Sequence, residues 1–149
     1  MKGCVKVGKE DNNIFSKLWQ DNDVIALKAV CSSPVATITT KIYVSNPLID
    51  ELIGQIEPFL HGDVEEGLWA NEDRGNDSTA CLSLRFLRKD RLGHIIIEVF
   101  AELDDGGDYT RHNCCFFVNT EYGLLMNFCE RLVQLKDNPA GDEIQLNCS

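Results

Sequence analysis

Apolar and polar residues alternate along most of this chain and take up helical spacing in only two stretches. The strongest alternation runs from Cys81 to Leu103: Leu82, Leu84 and Phe86 interleave with Cys81, Ser83 and Arg85, then Ile95, Ile97, Val99, Ala101 and Leu103 interleave with Ile96, Glu98, Phe100 and Glu102. A period of two is that of a half-buried strand. Lys89-Asp90-Arg91-Leu92-Gly93 between the runs has the length of a turn, and Gly93 can take the positive φ that a Cβ resists, so the stretch predicts a β-hairpin.

The same rule yields extended segments at Val5 to Val7, Ile14 to Trp19 and Val24 to Val30, separated by the polar clusters 11–13 and 20–23. After the break at Ser33-Pro34, the β-branched run ATITTKIYVS predicts a further strand, with Ile38, Thr40, Ile42 and Val44 on one side. Asn46 and Pro47 then suit the cap and first position of a helix, and Leu48, Leu52, Ile53, Ile56 and Leu60 recur at helical spacing over about 47–60, with Pro58 expected to end or bend it near its last turn. Residues 61 to 79 are polar around an isolated Leu68-Trp69 pair and predict a long loop. Beyond the hairpin, Asp104 to Asp108 predicts a turn and Tyr109 to Asn119 a strand centred on CCFFV. Thr120 is placed to cap a second amphipathic helix, 121–137, whose buried stripe is Leu124, Leu125, Phe128, Leu132 and Leu135, and DEIQLNCS can add a short last strand. The segment TTKIYVSN enters the first helix much as CCFFVNT enters the second, an echo with too few identities to establish duplication. This order predicts a single α+β domain over 1–149: an antiparallel sheet of about six strands, one face buried under two helices.

Composition agrees with one core. At 149 residues, 44% hydrophobic and 26% charged, a chain can bury roughly two-thirds of its unfolded surface. Its apolar runs are far below the roughly 20 residues needed to span a bilayer. The N-terminus lacks the apolar segment of a secretory signal, so a cytoplasmic protein is expected. Seven irregularly spaced cysteines, several inside apolar patterns, read as reduced thiols.

Charge changes the picture more. Fourteen basic against 24 acidic residues give −10 and a pI near 4.6. Such a surface repels a phosphate backbone and favours fast association with a basic protein, although solubility alone accounts for many acidic surfaces.

Candidate chemistry is sparse. His112, Cys114 and Cys115 are neighbours, but adjacent strand residues face opposite ways and no second ligand pair accompanies them, so no metal site is expected. No cysteine stands at a glycine-bounded turn or helix start that would activate it. His94 at a strand start reads first as a hydrogen-bonded residue, and Glu98 and Glu102 lie about 13 Å apart along a strand, too far for a glycosidase pair. Phosphate-binding glycine loops are absent. No catalytic residue and no cofactor are assigned.

Two acidic connections remain. The first, 61–79, has six acidic side chains against Arg74, a net −5; the second is Asp104 to Asp108. Glu65, Glu66, Asp73, Asp104, Asp105 and Asp108 would meet basic groups, with Trp69 or Tyr109 as apolar anchors.

The order of Trp69, the strand LSLRFL, Gly93-His94, the strand IIIEVFAEL and a closing amphipathic helix resembles a small uncharacterised bacterial family with a tryptophan followed by a Gly-His-aliphatic strand, over residues 48 to 136. This chain differs in a longer polar insert after Trp69. Some small acidic proteins of this kind are immunity proteins, so the resemblance implies a cytoplasmic immunity protein that neutralises a cognate toxin, such as a nuclease of a contact-dependent or polymorphic toxin system. The alternative is a small-ligand-binding or enzymatic domain with a pocket near Trp69, His94 and His112. A homodimer through the strand side bearing Ile96 and Phe100 is a third expectation.

Overall fold

A computed structural model describes residues 11–72, 80–103 and 112–147. Within them the elements run β1 (Asn12–Gln20), β2 (Ile25–Ser32), β3 (Thr37–Val44), α1 (Asn46–His61), β4 (Glu66–Ala70), β5 (Cys81–Arg88), β6 (His94–Leu103), β7 (His112–Glu121), α2 (Tyr122–Leu135) and β8 (Glu143–Gln145). The expected extended segment at Val5 to Val7 and the turn at Asp104 to Asp108 lie outside the described residues.

The class is α+β, as the alternation implies, but the single sheet of about six strands is corrected. Eight described strands form two four-stranded antiparallel sheets, β3-β2-β1-β8 and β4-β5-β6-β7. Two short strands account for the difference in number. β4 occupies part of the expected loop, because Gly67 and Trp69 alternate inward while Glu66 and Leu68 alternate outward. β8 is three residues long and pairs with β1 from Ser16↔Glu143 to Ile14↔Gln145.

Side chains join the sheets where a ladder would make one. Asn147 is fully buried and donates through Nδ2 to the carbonyls of Asp11 and Asn119, both at 2.8 Å. Its Oδ1 accepts from Thr120 Oγ1 at 2.7 Å. Buried polar groups of this kind need partners, and here each serves the other across the seam between β1 and β7. Thr120 is thereby taken from the helix cap expected of it; Glu121 precedes α2 without a side-chain cap bond. At α1, Ser45 rather than Asn46 caps, its Oγ accepting from Leu48 N at 3.3 Å. Pro58 stays inside α1, and Gly62 ends the helix at φ 82°.

Each half contains a three-strand meander followed by a helix, β1-β2-β3-α1 and β5-β6-β7-α2, the structural counterpart of the echo in the sequence. The helices reach across to the other half. Phe59 of α1 packs on Phe86 of β5 at 6.3 Å between ring centroids, and Phe128 of α2 meets Phe15 of β1 edge to face at 5.7 Å. Ile49, Leu52 and Ile56 of α1, and Leu125, Leu132 and Leu135 of α2, bury their stripes in one continuous core with Ile42, Leu84, Ile97 and Val118. The hairpin turn is closed by Asp90, whose Oδ1 accepts from Leu92 N at 2.8 Å and His94 N at 3.2 Å, and by Gly93 at φ 92°.

The contact between α1 and β4 depends on a missing side chain. A Cβ at Gly67 would stand 2.8 Å from the Gln55 carbonyl oxygen, backbone that cannot swing aside. Gly67→Ala is therefore expected to destabilise the fold by about 1–3 kcal/mol, read as a lower urea midpoint at unchanged slope.

Candidate functional site

Glu65 and Glu66 stand exposed where the chain turns from α1 into β4. Glu66 Oε1 is 3.9 Å from Arg85 Nη1, and Arg85 Nε donates to Glu98 Oε1 at 3.0 Å, so one guanidinium is bracketed by two carboxylates. These groups belong to the outer face of the second sheet. The register places Leu68, Arg85, Glu98 and Phe117 in one row across β4 to β7, with Leu68 56% and Phe117 50% exposed at its two ends. Ile96 and Phe100 lie on the same face and are half-buried.

Trp69 does not fit the anchor role given to it. Its side chain is 4% exposed and its indole N–H donates to the Leu48 carbonyl at 2.9 Å, so the tryptophan fastens β4 to the start of α1. Burial with a satisfied N–H is the usual state of a core tryptophan. The exposed apolar side chain here is its neighbour Leu68. Asp73, Asp104, Asp105, Asp108 and Tyr109 lie outside the described residues.

Trp69, His94 and His112 are not brought together. His94 pairs with Glu121 at one end of the β6–β7 ladder and His112 with Leu103 at the other, roughly 30 Å apart at about 3.3 Å per residue. His94 Nδ1 lies 2.6 Å from Asp90 Oδ2, and that contact, with the turn's N–H donors, holds the Asp90 carboxyl below its ordinary range. Cys114 sits opposite Ala101 and Cys115 opposite Phe100, on opposite faces of the sheet, as alternation requires. Among the described residues no three His, Cys, Asp or Glu side chains are grouped to hold a metal ion.

Two interior cysteine thiols, Cys31 and Cys129, are held protonated by their surroundings. Burial pushes Cys31 up to about 12. Cys129 is likewise raised to about 12, by burial first and then by Glu57 and Glu130. Cys129 floors a cleft of about 220 Å³ between α1 and α2, rimmed by Tyr122, Met126 and Val133. A buried thiol whose thiolate is further disfavoured by the Glu57 and Glu130 carboxylates on the cleft wall is a packing group rather than a nucleophile. A second cleft, about 340 Å³, lies between the β1–β2 turn and the start of α1, with Asp21 and Asp23 on its wall.

One surface escaped the sequence reading. β1 bulges between Lys17 and Trp19, and the extra residue shifts the alternation so that Trp19 comes opposite Ala26, which in turn faces Tyr43. Trp19 is 43% and Tyr43 41% exposed; their rings stand 6.4 Å apart over Ala26, which they cover completely. Bulges commonly re-aim a side chain in this way. Strict alternation offers no sign of it.

Comparison of the chain with protein-family models, with curated proteins and with solved structures finds no match. Among the described residues no helix is long and apolar enough to cross a membrane.

Proposed function

We propose that this chain is a binding protein of the immunity type, which neutralises a cognate bacterial toxin by occupying the basic active-site region, a nuclease of a contact-dependent or polymorphic toxin system being the class that its acidity fits best. The observation that carries the reading is the net charge of −10, with Glu65 and Glu66 exposed beside the apolar side chain of Leu68. An inhibitor of a nucleic-acid-cleaving enzyme gains from negative charge twice: it occupies a site shaped for phosphates and is steered to it at high rate. Glu65, Glu66, Asp73, Asp104, Asp105 and Asp108 are the carboxylates assigned to that contact. Leu68 takes the apolar role first assigned to Trp69, and Tyr109 keeps its own.

The test is protection. A toxin-encoding reading frame immediately upstream is the expected neighbour, and, co-expressed with that toxin domain, the wild-type chain should restore growth. A variant carrying Glu65→Lys, Glu66→Lys, Asp104→Lys and Asp105→Lys should fold yet protect poorly. Full protection by that variant would remove the acidic contact from the account.

A further inference from the structure

We propose that the outer face of the first sheet is a self-complementary surface on which a second copy of this chain docks about a two-fold axis. The face is organised in rows by the strand register. Trp19, Ala26 and Tyr43 make an aromatic row, exposed at both ends and closed in the middle by the two rings. The next row along the strands carries Ser16, Lys28 and Lys41, about 7 Å away at two residues' rise. Both lysines are exposed and directly opposite one another, a like-charge pair that costs stability in an isolated sheet. Lys41 Nζ leans to 5.5 Å from the Tyr43 ring centroid. Glu143 stands at the β8 end of this row, engaged with Ser16 Oγ at 3.2 Å, so the lysines hold the β2–β3 half.

On the other side of the aromatic row the charge reverses. The β1–β2 turn presents Asp21 and Asp23, both exposed. Asp21 Oδ1 accepts from the N–H groups of Asp23 and Val24, each at 2.8 Å, which fixes the turn and leaves the Asp23 carboxylate facing solvent. Basic row, aromatic row and acidic turn thus follow one another across the face.

That sequence of charges selects the partner. A purely acidic or purely basic partner would be repelled by one side. A second copy turned by 180° about an axis through the aromatic row lays Trp19 and Tyr43 against their equivalents. It also brings Lys28 and Lys41 over the partner copy's acidic turn, twice by symmetry. An isologous contact is self-complementary by construction, and exposed Trp and Tyr are the residues most enriched at interface centres. Two chains of −10 repel at long range, so the pairing depends on contacts within a Debye length of about 8 Å at physiological salt. It uses a different sheet from Glu66 and Leu68 and does not depend on the toxin contact.

Sedimentation equilibrium of the full chain at physiological salt tests the proposal. The wild type should show a concentration-dependent monomer–dimer equilibrium. Trp19→Ala should weaken it by about tenfold or more, as should Lys41→Glu and Asp23→Lys taken singly, with the thermal unfolding of the monomer not lowered for the two charge variants. Combining Lys41→Glu with Asp23→Lys restores the complementarity in reversed sense and should recover the dimer. A wild type that stays monomeric at every concentration, or a dimer indifferent to these substitutions, would overturn the proposal and leave the toxin-inhibitor reading standing.

Discussion

Replacing Trp69 with alanine is expected to cost about 3–5 kcal/mol of folding stability, the range for removing a large aromatic side chain from a core. The indole is buried against α1 and its N–H donates to the Leu48 carbonyl, so the variant loses packing together with a part-buried hydrogen bond. Against a total stability of about 5–15 kcal/mol, that loss brings the chain close to unfolding at ordinary temperature. Trp69→Phe keeps most of the bulk and drops the donor, and should cost about 1–2 kcal/mol. Urea denaturation separates the two variants. A Trp69→Ala variant of wild-type stability would contradict the placement of Trp69 in the core and return it to the surface as an anchor.

Substitution of Lys17 is expected to have the second large effect. Lys17 is 1% exposed, and its Nζ donates to the carbonyls of Asn138 at 2.6 Å and Lys136 at 3.3 Å and to Gln20 Oε1 at 2.7 Å. It thereby satisfies carbonyls just past the end of α2, where backbone acceptors have no partner within the helix. Lys17→Ala leaves those oxygens unpaired and opens space, for an expected loss of about 2–4 kcal/mol. Burial lowers the Lys17 pKa from 10.5, while Asp137 and Asp142 pull it back up. Because its folded pKa is depressed, Lys17 supports the fold less at neutral pH, where both states are protonated, than it would as a neutral amine. The folded state then releases its proton first, so the Lys17 contribution becomes more favourable as pH rises from the folded pKa towards 10.5. Lys17→Met, which keeps the aliphatic stem, should remove that upward component from the stability–pH curve. If wild type and Lys17→Met showed the same slope through that window, the lysine would not carry the effect.

Most of the scaffold was legible because its signals are strong and local. The hairpin runs at Cys81 to Arg88 and His94 to Leu103, close to the alternation that announced it, and both helices begin and end within two residues of their apolar stripes. What stayed hidden has specific physical causes. β4 buries Gly67 and Trp69, and a glycine on the inward side gives no apolar signal. The joint between the two sheets is made by Asn147, Asp11, Asn119 and Thr120, polar residues far apart in sequence whose meeting no periodicity encodes. The two tryptophans take places opposite to their surroundings. Trp69 stands in a polar stretch yet is buried by a short strand, while Trp19 stands in an apolar strand yet is turned outward by a bulge. Of the acidic residues assigned to a partner, Glu65 and Glu66 are exposed on the described surface, and their role rests on charge.

The central proposal is that this chain binds a basic toxin through its carboxylates, and calorimetric titration with the toxin domain expected from the neighbouring reading frame tests it most directly. The account predicts tight binding at low salt that weakens by about tenfold or more between roughly 50 mM and 300 mM, and that falls further with Glu65→Lys and Glu66→Lys. No binding at low salt, or binding that neither salt nor these substitutions alter, would contradict it.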